Sequence, residues 1–254
     1  MTSWNAGETA DATRVETRVA LSIVIAVVLV GAAWSIANHF AFGTKTFDSG
    51  VIDHALWRVT HGFSDVSTIN GRPFFSDHPA PLLGLLFPVY WMAPVLGLPA
   101  LFALRAVSAG LVVWAAWLLA LRYGLDQTSR WTLVLATALG PGMFLVLAAE
   151  TNTVGLIVGP LALACAFALR REHLAWFGVM VVLVAAARPE VALGVVLLGW
   201  LLRKESPPHA RVALWVGAIF TVGGVAWLLT IGDAPGFSGH LGHLGDSLSS
   251  AVVA

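Results

Sequence analysis

The segment Phe47-Asp48-Ser49-Gly50-Val51-Ile52-Asp53-His54-Ala55-Leu56-Trp57 sets two carboxylates and a histidine just beyond the first membrane-length apolar run. Ionisable groups at such a boundary are costly unless water, a partner or a substrate meets them, which makes this segment the first candidate for chemistry. A second candidate is Arg188-Pro189-Glu190, where an Arg and a Glu stand between two apolar segments too close together for a solvated loop. A guanidinium there can clamp a lipid-linked phosphate through two parallel hydrogen bonds, or close a buried ion pair with Glu190. Glu150-Thr151-Asn152 falls at the corresponding turn of the preceding hairpin and can face the same cavity. His78, inside Ser76-Asp77-His78-Pro79-Ala80-Pro81, suits a phosphate hydrogen bond, a metal ligand or a helix cap, and its spacing does not choose among them.

The elements that must position these groups are membrane helices. Hydrophobic residues make up 58% of the 254 and charged ones only 11%, more apolar surface than a globular core can hide. The 14 basic and 14 acidic residues balance, which leaves no basic face for nucleic acid. Cys165 is alone, so neither a disulfide framework nor a thiolate metal site is available. The 11 tryptophans suit interfacial belts. No His-Glu-x-x-His arrangement and no glycine-rich phosphate loop is present.

Apolar stretches run over 19–38, 81–97, 99–121, 131–149, 152–169, 174–187, 189–202 and 210–231, judged against the ~20 residues needed to cross a bilayer. The first exceeds the ~7–15 residues of a signal-peptide core and reads as a retained span. Arg14 and Arg18 hold residues 1–18 in the cytoplasm. Arg122/Arg130, Arg170/Arg171 and Arg203/Lys204/Arg211 fall at alternate loops and share that side. This parity requires 81–97, with Pro81, Pro88 and Pro94, to be re-entrant or broken, as irregular backbone lining a cavity is. Asp48, Asp53, His54, His61, Asp65, Asp77, His78, Glu150, Arg188, Glu190 and Asp233 then meet on the outer face.

Within the outer loop 39–80, apolar residues recur at helical spacing over 50–63, and the reading is an amphipathic helix lying on the membrane surface. Asp48 would precede it, as a cap or as a group reaching into a cleft, and Asp53 is either a site residue or a solvated surface charge. Near the end, Gly239-His240-Leu241-Gly242-His243 reads as a flexible loop over 232–254.

Phe47-Asp48-x-Gly50-x-x-Asp53-x-Ala55-Leu56-Trp57 resembles the opening signature of a bacterial and archaeal membrane-protein family, domain of unknown function 2079. His78-x-x-Pro81, Arg188-Pro189-Glu190-Val191-Ala192-Leu193 and His243-Leu244-Gly245 resemble its later landmarks, in order. This sequence departs from the family pattern with His54 for Gln, Arg188 for Lys and Pro189 for an acid, and Glu150-Thr151-Asn152 has no clear counterpart. Members usually continue with further spans, which leaves a fragment, a truncated product and a divergent short form as readings of a chain stopping at Ala254.

The family's layout is similar to that of the GT-C membrane glycosyltransferases. The implied fold class is all-α, a polytopic transmembrane helix bundle with a juxtamembrane helix in its outer loop. The implied function is transfer of a sugar from a polyprenyl-phosphate carrier, within the membrane lipid, to an extracytoplasmic acceptor of the cell envelope. On that resemblance Asp48 or Asp53 is the candidate catalytic base. Arg188, with His78, stabilises the leaving phosphate, and His54, Glu190 and Glu150 complete the substrate-binding set. No cofactor is specified; a divalent metal is compatible, and the oligomeric state is open. The alternative is a non-enzymatic lipid or polymer transporter, or an accessory subunit, using the same cavity for binding alone.

Overall fold

The computed structural model of the chain describes residues 6–41, 47–66, 73–77, 79–148 and 153–230. The described residues are almost entirely helical: α1 (Ala6–Phe40), α2 (Phe47–Thr60), α3 (Phe74–Asp77), α4 (Phe87–Met92), α5 (Gly97–Arg122), α6 (Gln127–Leu139), α7 (Pro141–Ala148), α8 (Thr153–Arg170), α9 (Leu174–Ala185), α10 (Pro189–Leu202) and α11 (Pro207–Thr230). Short 3-10 helices occupy Pro81–Leu86 and Pro94–Leu96. The only extended pairing among the described residues is the isolated bridge between Val66 and Pro73.

Among the described residues, three helical stretches are long and apolar enough to cross a membrane: Thr13–Phe40, Pro94–Arg122 and Pro207–Thr230. Four shorter apolar helices accompany them, at Pro81–Met92, Gly155–Arg170, Leu174–Ala185 and Pro189–Leu202. The apolar stretch 131–149 is two helices rather than one, because Gly140 takes an extended conformation (φ −69°, ψ 156°) and Pro141 starts α7 afresh. The segment 81–97 is a broken series of short helices, each opened by a proline in its first turn. A proline ring lacks the N–H and clashes one turn back, so helices begin at these residues but do not run through them.

The helices form two compact units, Met1–Asp48 with Leu98–Met180, and Ser49–Gly97 with Val181–Ala254. In the first unit the core gathers Ala20 of α1, Ala109, Val113 and Trp117 of α5, Val134 of α6 and Met143 of α7. Arg105 is buried at 1% exposure. Its guanidinium donates to the Leu147 carbonyl at 2.7 Å and to Ser35 Oγ at 3.1 Å, so it fastens α5 to α7 and α1. At Gly159 of α8 a Cβ would collide with the Ser108 carbonyl. The Gly159 N–H donates to Ser108 Oγ at 3.0 Å, so this close approach of α5 and α8 is also hydrogen-bonded. An Arg130–Glu16 ion pair at 2.8 Å joins α6 to α1.

In the second unit α10 and α11 form an antiparallel hairpin in glycine-mediated contact. Gly199 lies against Ala210 and Leu214, Gly217 against Ala192 and Val196, and Gly224 against Pro189. Without a Cβ the two backbones approach closely, the usual way apolar helices gain van der Waals contact where no water drives them together. The helix α2 buries Val51, Ile52, Ala55 and Leu56 at 0–6% exposure. Its apolar face is therefore covered by protein rather than left to a membrane surface, the placement read from its amphipathic spacing. Gly62 (φ 79°) ends α2, with Phe63 N–H donating to Arg58 O and Gly62 N–H to Val59 O. That left-handed cap is one glycine adopts at no steric cost.

Candidate functional site

Asp65 and Arg188 are placed by short or proline-started elements of the second unit. The backbone N–H of Leu82 donates to the Ala186 carbonyl at 2.8 Å, which sets the 3-10 helix Pro81–Leu86 beside the turn leading into Arg188. Asp65 works as a cap from a distance. Its carbonyl accepts from Phe74 N–H at 3.1 Å and its Oδ2 from Phe75 N–H at 2.7 Å, so it terminates the otherwise open amides of α3. The Phe75 carbonyl in turn accepts from the Trp227 indole at 2.9 Å, which ties α3 to α11.

These contacts surround a cavity of about 680 Å³ lying wholly within the second unit. Its wall is overwhelmingly apolar, with Phe75, Phe87, Phe220 and Trp227 supplying aromatic surface, and it carries two ionisable groups, Asp65 and Arg188. Such a chamber, large, mostly apolar and furnished with a few polar groups, has the character of a small-molecule site. Arg188 sits at the N-terminus of α10 in extended conformation, with a side chain 30% exposed. Its Nη1 is 3.5 Å from Oε1 of Glu190, which is 66% exposed, so this is a loose surface pair and not the buried ion pair that the tight spacing allowed.

Asp53 lies elsewhere. Its Oδ1 accepts a 2.6 Å hydrogen bond from the Tyr90 hydroxyl, and Tyr90 is 1% exposed. That bond anchors α2 to α4, and Asp53 is not on the cavity wall. His54 is half-buried, and its Nδ1 is buried with no hydrogen-bond partner among the described residues. His61 bonds the Trp57 carbonyl at 2.8 Å and stacks on the Trp57 ring. Asp48 is in the first turn of α2, but its side chain lies outside the described residues, as do His78, Glu150 and the His240/His243 loop. Among the described residues no group of three or more His, Cys, Asp or Glu is placed to hold a metal ion.

Asp65 is the cavity residue that sequence reading gave no special weight. It is one outer-loop acid among several; its partner Phe75 is 10 positions away, and Arg188, which lines the same cavity, is 123 positions away in sequence.

Several apolar helices of membrane-crossing length, with a largely apolar cavity whose wall carries Asp65 and Arg188, give the chain the character of a helical membrane protein. The chain belongs to the family described as Predicted membrane protein (DUF2079), which matches residues 38–250 and so takes in the whole second unit apart from its last four residues. No curated protein and no solved structure matches the chain.

Proposed function

We propose that this protein is a membrane glycosyltransferase that moves a sugar from a polyprenyl-phosphate carrier to an acceptor hydroxyl, with the cavity of the second unit as its donor site. The observation that carries the reading is that Arg188 and Asp65 both line one otherwise largely apolar cavity. The isoprenoid chain lies against the aromatic and proline surfaces. The phosphate is held by the Arg188 guanidinium, whose planar fork matches two phosphate oxygens. The resemblance of the family's layout to GT-C enzymes, read from the sequence, points the same way, with the acceptor arriving from the extracytoplasmic side.

In the reaction so proposed, a carboxylate takes the proton of the acceptor hydroxyl as its oxygen attacks the anomeric carbon. The bond from that carbon to the phosphate oxygen breaks, and the carrier leaves as polyprenyl phosphate. Arg188 offsets the charge that develops on the departing phosphate, the kind of stabilisation that contributes most in a low-dielectric site. Asp65 is the carboxylate best placed for the base. One of its oxygens is used by Phe75 N–H, which fixes the group and leaves Oδ1 for a proton. Asp53, engaged by Tyr90, supports the fold of the site, and Asp48 stands as the further candidate at the start of α2.

The test is transfer of a labelled sugar from its polyprenyl phosphate to membrane acceptors by protein in liposomes. Asp65→Asn removes the base while retaining the capping oxygen, and is expected to lower transfer roughly 100-fold or more with carrier binding kept. Transfer unaffected in Asp65→Asn but lost in Asp48→Asn would move the base to α2. Carrier binding with no transfer by the unaltered protein would favour the transporter reading, which the nearly unbroken apolar wall also suits.

A further inference from the structure

The helix α3 is a single turn, Phe74–Asp77. Each N–H of so short a helix falls among those that open a helix and each C=O among those that close one, so its position depends on bonds from outside. Asp65 supplies them at the amide side, to Phe74 and Phe75. Trp227 of α11 supplies one at the carbonyl side, its indole N–H donating to Phe75 O at 2.9 Å. Phe75 is therefore joined through its N–H to the Asp65 carboxylate and through its C=O to Trp227, and all three residues line the cavity. The main chain just before Asp65 is held from α2, where Arg58 Nε donates to the Ser64 carbonyl at 2.7 Å. With the backbone fixed on that side, the direction of the carboxylate is set through Phe75.

We propose that Trp227 is a positioning residue for Asp65: its indole fixes α3, and α3 fixes the direction in which the carboxylate meets a ligand in the cavity. The inference rests on the reading of Asp65 as the general base and adds the residue that aims it. The Trp227 side belongs to a residue 39% exposed, so no closed core depends on the ring. A phenylalanine in its place keeps an aromatic surface in the wall but leaves the Phe75 carbonyl without this donor. A loosened α3 lets the Phe75 N–H drift from Oδ2 of Asp65, and a base displaced by as little as ~1 Å loses rate steeply. Trp227 acts through Asp65 and not on the substrate.

The experiment is a double-substitution cycle on the full chain in liposomes, with Asp65→Asn, Trp227→Phe and the two combined, assayed with the labelled polyprenyl-phosphate donor. Trp227→Phe is expected to lower kcat roughly tenfold while changing KM for the donor less than about threefold. In the Asp65→Asn background it should cost less than about twofold more, because no base is left to aim. The same loss in both backgrounds, a loss carried in KM alone, or no loss at all overturns the positioning role while the transferase reading stands. Hydrogen exchange at the Phe74 and Phe75 amides supplies a readout that needs no activity: Trp227→Phe should speed it roughly tenfold at an unchanged unfolding temperature. Unchanged exchange overturns the role whether or not the protein transfers sugar. Faster exchange in Trp227→Phe with no transfer by the unaltered protein would remove the transferase reading and leave Trp227 as the residue that orders Asp65.

Discussion

The Tyr90 hydroxyl donates to Oδ1 of Asp53 at 2.6 Å and thereby fixes α2 against α4. The bond separates two carboxylates of the same loop region by what they do. Asp53 is held by a buried phenol, whereas Asp65 caps α3 and faces a chamber shared with Arg188. A carboxylate satisfied in this way stabilises the packing of its own helix without having to enter the reaction.

Tyr90→Phe is accordingly expected to destabilise the protein by about 1–3 kcal/mol, because it leaves a partly buried carboxylate without its donor while preserving the ring over Gly97. Denaturant or thermal unfolding in detergent reads this directly. The affinity of the folded variant for a lipid phosphate should stay close to that of the unaltered protein. A large loss of affinity with unchanged stability would assign Asp53 to the ligand.

The helical character was legible from composition and run length, since continuous apolar runs of about 20 residues satisfy their backbone as membrane helices, whereas a barrel strand needs only ~10 alternating ones. The site was less so. Asp48 and Asp53 drew attention because they sit in a dense signature, but the partner of Asp53 is a tyrosine 37 residues on, inside a proline-broken segment whose path no periodicity fixes. Asp65 becomes distinctive only once the Leu82–Ala186 and Phe75–Trp227 bonds bring its loop to the start of α10 and the end of α11. Long-range backbone contacts of that kind leave no trace in local spacing. The face of α2 was readable from its periodicity, but whether protein or lipid covers such a face depends on its neighbours and not on its own sequence.

Arg171 follows α8 with φ 56°, and Glu172 N–H closes the cap onto the Phe167 carbonyl. A residue with a Cβ is held there in the left-handed region at a cost that glycine does not bear. Arg171→Gly should therefore raise stability by about 0.5–1 kcal/mol, less whatever the more flexible unfolded chain recovers. A lower unfolding midpoint would show that the Arg171 side chain contributes more than its backbone costs.

Asp126 caps α6, accepting from Ser129 N–H at 3.1 Å and from the Ser129 hydroxyl at 2.8 Å. These bonds, the backbone one foremost, hold its carboxyl below the usual aspartate range. A pKa lower in the folded than in the unfolded state stabilises at pH values above the unfolded pKa, and the contribution is lost as pH falls through the folded one. The stability difference between the unaltered protein and Asp126→Ala should thus be constant near neutrality and shrink on acidification through the acid range. A difference that grows as pH falls would contradict this sign.

The central claim, that the chamber between the proline-started helices and α11 recognises a lipid through its phosphate, is tested most directly by comparing farnesyl phosphate with farnesol as ligands of the full chain in nanodiscs. The unaltered protein should bind the phosphate roughly tenfold or more tightly than the alcohol, and Arg188→Ala should erase most of that preference while leaving farnesol binding unchanged. Equal binding of phosphate and alcohol by the unaltered protein, or a phosphate preference that survives in Arg188→Ala, would contradict it.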